Sequence, residues 1–109
     1  MAIIRANTSV VTQINVFNVP NGGQERLIDF LSQAARAASQ VDGWISASLH
    51  RSLDGTRVVN YAQSQDHDAA QRVIAHLRSK GLLEANRQYG VAHPGLYDVV
   101  FALDRESPS

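Results

Sequence analysis

The chain has 109 residues, with ten basic and ten acidic side chains that cancel, four histidines and no cysteine. That length suits one domain with a modest core, and no cluster of Lys or Arg is dense enough to follow a phosphate backbone, which argues against nucleic acid. The missing cysteines exclude disulfides, a thiolate nucleophile and Cys-ligated metal. No apolar run approaches membrane-spanning length, and MAIIRANTS lacks the apolar core of a secretory signal, so a cytoplasmic protein with no membrane association is expected. Zero net charge permits self-association.

In chain order, Val10–Val19 (VVTQINVFNV) alternates and is rich in β-branched residues, predicting a first strand. Pro20-Asn21-Gly22-Gly23 breaks it, and Asn21 is placed to cap a helix with Gln24 three residues on. The helix extends to about Gln40 with an apolar stripe of Leu27, Phe30, Leu31, Ala34 and Ala38. Asp42-Gly43 ends it. Two alternating runs follow within Ile45–Gln63, joined by Asp54-Gly55, a strong hairpin signal because the turn needs residues tolerant of positive φ. Asp66 is a plausible N-cap for a second helix, in which Ala70, Val73, Ile74 and Leu77 repeat the helical period, and Gly81 is a natural terminator after Lys80. Leu82–Tyr89 is compatible with a short third helix. His93-Pro94-Gly95 is expected to turn into a last strand, Leu96–Leu103. The single domain thus spans 1–109 with its core over about 8–104, and the polar tail 105–109 is expected to be disordered.

The order β-α-β-β-α-β is the ferredoxin-like split arrangement of the α+β class, with both helices on one face of a four-stranded antiparallel sheet. The other face would then expose roughly 500 Å², large for a soluble monomer. The apolar positions left on it predict a homodimer paired sheet to sheet.

The hairpin is unusually polar for a buried strand pair, which points to a pocket or a wet interface. A two-residue turn sets Asn60 opposite Leu49, on a face with Ile45, Ala47, Val58, Ala62 and Ser64, where its amide either orients a substrate or is tied to backbone. The opposite face would carry Ser46, Ser48, His50, Val59, Tyr61 and Gln63. These suit a hydrated dimer interface, or a site in which His50 is a general base. Gln13 and Asn15 share a face with Val11 and Phe17 and either line the same polar layer or serve as cross-strand partners. Trp44 opens the second strand as a core or cavity-wall residue. Arg87 and Tyr89 lie on a segment that could cover a cavity mouth, where Arg87 either stabilises a phenolate or carboxylate or is an exposed helix residue, the latter being the expected case. His67, His76 and His93 do not converge with carboxylates, so no metal is expected.

SVVTQINVFNV, DGWISASLHRSLDGTRVVNYAQ and HPGLYDVV resemble the three characteristic segments of the antibiotic biosynthesis monooxygenase (ABM) family over roughly residues 8 to 104. The resemblance implies a dimeric α+β barrel that oxidises a small phenolic, polyketide-like aromatic with molecular oxygen and without metal, flavin or haem. The substrate would sit between sheet and helices, and its own deprotonated ring would supply the electrons. Asn60 matches the family's active-site asparagine and is the catalytic candidate, with Gln13, Asn15, Trp44, His50, Tyr61, Ser64 and Arg87 as substrate-binding candidates. The family usually has tryptophan where this chain has Ser64 and, in some members, tyrosine where it has Ala70; Ser64 would enlarge the cavity. His76 does not match the haem-degrading branch. The competing expectation is a non-catalytic dimeric module that binds a small apolar molecule or is structural, for which Ser64 and Ala70 speak. An isomerase or cyclase resting on His50 is a third.

Overall fold

The β-branched alternation of the first run forms β1 (Val11–Asn18), a central strand of the sheet. A computed structural model describes residues 2–106. After β1 come α1 (Gln24–Ala38), the hairpin β2 (Trp44–Arg51) and β3 (Arg57–Ser64), α2 (His67–Ser79), a single turn α3 (Leu82–Ala85) running into a 3₁₀ turn (Asn86–Gln88), and β4 (Val91–Tyr97). The sheet order is β2-β3-β1-β4 with every neighbouring pair antiparallel, which is the ferredoxin-like arrangement. The tail expected to be disordered, 105–109, lies outside the described residues from 107 onward. Before it, Glu106 N–H donates to Asp104 Oδ1 at 2.9 Å.

The core is where the sheet meets α1: Phe17, Leu27 and Val58 are completely buried, with Leu31 beside them. Burying side chains of this size stabilises the fold by about 1.5–3 kcal/mol each. Phe17 and Val58 are direct cross-strand partners, so the register that joins β1 to β3 also assembles the core.

Three local expectations need correction. Asn21 does not cap α1. The chain turns once more at Gly22, with φ +80°, so that Gly23 becomes the N-cap without a side-chain bond. Gln24, freed from a capping role, reaches across to the hairpin instead. Its Nε2 donates to the Ser52 carbonyl at 3.0 Å and the Arg57 carbonyl at 3.0 Å, clamping the base of the turn to α1. The last strand is Val91–Tyr97 rather than Leu96–Leu103, and His93-Pro94-Gly95 lies inside it, opposite Val16, Asn15 and Ile14. β4 is an edge strand, so the amide hydrogen that Pro94 lacks is not needed by an outer neighbour. Finally, a bulge between Trp44 and Ser46 leaves Ile45 without a partner. It removes Ile45 from the face that carries Asn60, and its side chain is exposed.

The second helix starts as expected. Asp66, in extended conformation, accepts from Ala69 N–H at 2.8 Å, a cap worth about 1 kcal/mol. Gly81 at φ +73° follows Lys80 and turns the chain into α3. Gly43 is demanded by contact as well as by conformation. It takes φ +91°, and a Cβ there would stand 2.5 Å from Ala69 Cβ, so the start of β2 lies directly against α2.

Candidate active site

The register decides which polar side chains share a face. β3 brings Asn60 level with Asn15 on one side and Leu49 on the other. Ala62 stands between Gln13 and Ala47, and Ser64 between Val11 and Trp44. This row looks toward the helices, because Phe17 and Val58 belong to the same face. Asn60 therefore sits on the covered side of the sheet, and the four-residue connection Leu53–Thr56 keeps the register of a two-residue turn: Ser52 N–H donates to the Arg57 carbonyl at 3.0 Å.

Between this face and the helices are two adjoining spaces that share Gln13. The larger, of about 600 Å³, is lined by Gln13, Asn15, Ile74, Arg78, Asn86 and Arg87 together with Leu83 and the backbone of β4. That volume lies in the range of small-molecule sites. The smaller, of about 30 Å³, lies deeper, against Asn60, Ser64, Trp44 and the alanines of α1 and the hairpin. Phe30 stacks on Tyr89 with ring centroids 5.1 Å apart, and the Arg26 guanidinium lies 6.0 Å from the Tyr89 ring, which holds the segment after α3 against α1.

The polar groups in this interior are incompletely bonded. The side-chain oxygens of Asn15, Asn60 and Asn86 are buried with no hydrogen-bond partner among the described residues, and Asn15 is only 8% exposed. Buried amides are almost always paired, and leaving one unpaired costs about 1–3 kcal/mol. Asn15 and Asn86 line the larger space and Asn60 the smaller, so both parts of the interior carry an amide awaiting a partner. Two guanidinium groups, Arg78 and Arg87, lie on the lining, and no carboxylate does. The one ion pair among the described residues is far away, Arg57 with Asp54 at 3.6 Å in the hairpin. The lining therefore favours a ligand that is anionic or becomes so.

Gln13, Asn15, Trp44, Asn60, Ser64 and Arg87 thus come together around one interior. His50 and Tyr61 do not join them. They lie on the opposite face, where Ser48 Oγ and His50 Nε2 are 2.9 Å apart and the rings of His50 and Tyr61 meet edge to face at 6.4 Å. Gln63, almost fully buried, accepts from Ser46 Oγ at 2.8 Å and donates to the Ile3 carbonyl at 2.9 Å, tying the N-terminal arm across that face. Arg78 and Asn86 were not legible as site residues. Arg78 follows Ile74 by four positions and so extends the stripe of α2 by one turn to the rim, a signal that the helical period carried. Asn86 sits in a segment without regular period. No group of three or more His, Asp or Glu capable of holding a metal occurs among the described residues, and no helix among them is long and apolar enough to cross a membrane.

Comparison with known proteins agrees with this arrangement. The antibiotic biosynthesis monooxygenase family profile matches residues 10–88. The tetracenomycin-F1 monooxygenase of Streptomyces glaucescens is 41% identical over 99% of this chain and 97% of its own length. Among solved structures, SnoaB, a cofactor-independent oxygenase from Streptomyces nogalater, superposes with a TM-score of 0.78 at 26% identity, covering 88% of this chain and 98% of that one. The monooxygenase from the ActVA-Orf6 gene of Streptomyces coelicolor, solved with nanaomycin D, gives 0.77 at 27% identity, over 88% and 92% of the two chains.

Proposed function

The chain belongs to the antibiotic biosynthesis monooxygenase family, and from that premise we propose that it is a cofactor-independent monooxygenase of small phenolic, polyketide-like aromatics. The observation that carries this reading is the pair of unpartnered buried amides, Asn15 and Asn86, on a cavity whose charged lining groups are guanidinium, with a third, Asn60, in the small space beside it. The similarity to a tetracenomycin-F1 monooxygenase along nearly the whole of both chains favours it over a non-catalytic module.

In this reading the ring system fills the larger space, with its oxygen substituents on Gln13, Asn15 and Asn86 and its reacting edge toward Asn60, the cross-strand partner of Asn15. Arg87 and Arg78 lower the pKa of a bound phenol by favouring the phenolate, and its proton leaves to water. The anion's charge reaches an activated ring methylene carbon. That carbon bonds to dioxygen, and the hydroperoxide loses water to leave a carbonyl, so that CH₂ and O₂ become C=O and H₂O. The substrate supplies the electrons. Asn60 holds the oxygen-bearing centre, and Trp44 with the apolar wall keeps bulk water out.

The reading includes a homodimer formed through the second sheet face, whose exposed or half-exposed Ile14, Val16, Val59 and Tyr97 would be covered there. The decisive experiment offers anthrone-type phenols to the purified protein under oxygen and under nitrogen. Oxygen-dependent quinone formation with no added metal or flavin, falling at least about a hundred-fold in Asn60→Ala, is expected. Full activity in the variant, or no product above background, removes the assignment.

A further inference from the structure

We propose that the small space behind Asn60 is a binding site for molecular oxygen, separate from the cavity that takes the aromatic substrate; the inference rests on the oxygenase reading above. Its volume is about 30 Å³, above the roughly 10–15 Å³ that a cavity needs to admit one small molecule. It can hold a diatomic molecule and cannot hold a ring. The space exists because side chains are missing where they would normally fill it. Ala34, Ala35 and Ala38 of α1 form its roof with Leu31, Val73 and Leu77, and the cross-strand pair Ala47 and Ala62 forms much of its floor.

Its position gives this gap a use. The floor ends at Asn60, whose buried side-chain oxygen has no partner, and at Ser64, which is only 6% exposed. Gln13 lines this space and the larger cavity alike, so the two meet beside the asparagine. Dioxygen is apolar and gains from the alkyl roof and the Ala47 and Ala62 part of the floor, while the polar groups Gln13, Trp44, Asn60 and Ser64 stand at the margin. A water molecule needs two to four polar partners and would find them only at the margin, on Gln13, Asn60 and Ser64, so water and an apolar gas would take different parts of the recess. Oxygen resting there would lie next to the substrate carbon without competing for the amides and guanidinium groups that hold the ring.

Xenon, an apolar gas probe, tests the site without turnover. Crystals pressurised with xenon are expected to show an atom between Ala35, Ala47 and Asn60, lost in Ala35→Val and in Ala47→Val. In steady-state kinetics with an anthrone-type phenol, each substitution is expected to raise the KM for oxygen about ten-fold while the KM for the phenol moves less than two-fold. Two different walls are altered so that a folding defect in one leaves the other informative, and circular dichroism checks both. An ordered water bonded to Asn60 in place of xenon, or an unchanged oxygen KM in a folded variant, overturns the proposal. Turnover that is independent of oxygen would remove the oxygenase reading instead, with xenon occupancy still deciding whether the space takes an apolar gas.

Discussion

Asn15 and Asn60 face each other across β1 and β3 with buried, unbonded oxygens. A fold left to optimise stability alone would replace such a group by an alkyl side chain of similar shape, because the unpaired amide is a cost that packing does not recover. Asn60→Leu is therefore expected to raise stability by about 1 kcal/mol and the midpoint of thermal unfolding by about 4–8 °C, while turnover is lost. A fall in midpoint would mean that the amide is a structural group. Gly43 carries the opposite constraint. Alanine there meets Ala69 and takes a left-handed conformation, so Gly43→Ala is expected to destabilise by about 2 kcal/mol or more in urea unfolding. Asn60 could be placed from the alternation of the hairpin and from its resemblance to a family position. Its missing partner could not, since burial of one atom depends on every neighbour at once.

The helices and the hairpin were legible because each carries its own punctuation: Asp66 with a period of Ala70, Val73 and Ile74, and Asp54-Gly55 between two alternating runs. Asp66→Ala is expected to cost about 1 kcal/mol in chemical denaturation. β4 was misread because Pro94 signals a turn in any local view, and only the sheet order reveals that it sits at an edge. The same order explains the segment after it. Residues 98–104 look like strand but leave the sheet, with the Val99 carbonyl accepting from Asn7 N–H at 3.1 Å. In the hairpin turn, bonds from the Thr56 hydroxyl and amide, then from Ser52, hold the Asp54 carboxyl at about 2, below its usual 3.8. Folding thus favours the ionised form. The stability it contributes is complete above the unfolded value and is lost as pH falls from about 3.8 through about 2. Asp54→Asn is expected to flatten that part of an acid unfolding profile followed by far-ultraviolet circular dichroism.

The proposed homodimer would rest on the second sheet face. Its half-exposed Ile14, Val16, Val59 and Tyr61 lie beside Ser46, Ser48 and His50, a mixture that suits a wet interface around a two-fold axis. Placing a charge near its middle with Val59→Arg is expected to convert a dimer to a monomer in sedimentation at micromolar concentration, and a monomeric parent protein would refute the pairing. The helix side holds a different asymmetry. At Gly43 the start of β2 touches α2, Gln65 N–H donates to the Gly43 carbonyl at 2.8 Å, and Arg72 Nη2 donates to the Asp42 carbonyl at 3.3 Å. At the far end, the turn bearing Asn86 and Arg87 is joined to α1 through the ring contact of Phe30 with Tyr89. One end is thus held by hydrogen bonds and close packing, the other by a stack of two rings. On the oxygenase reading, the stacked end has fewer bonds to break when a ring enters, so the alanine recess beside the bonded end would keep its width.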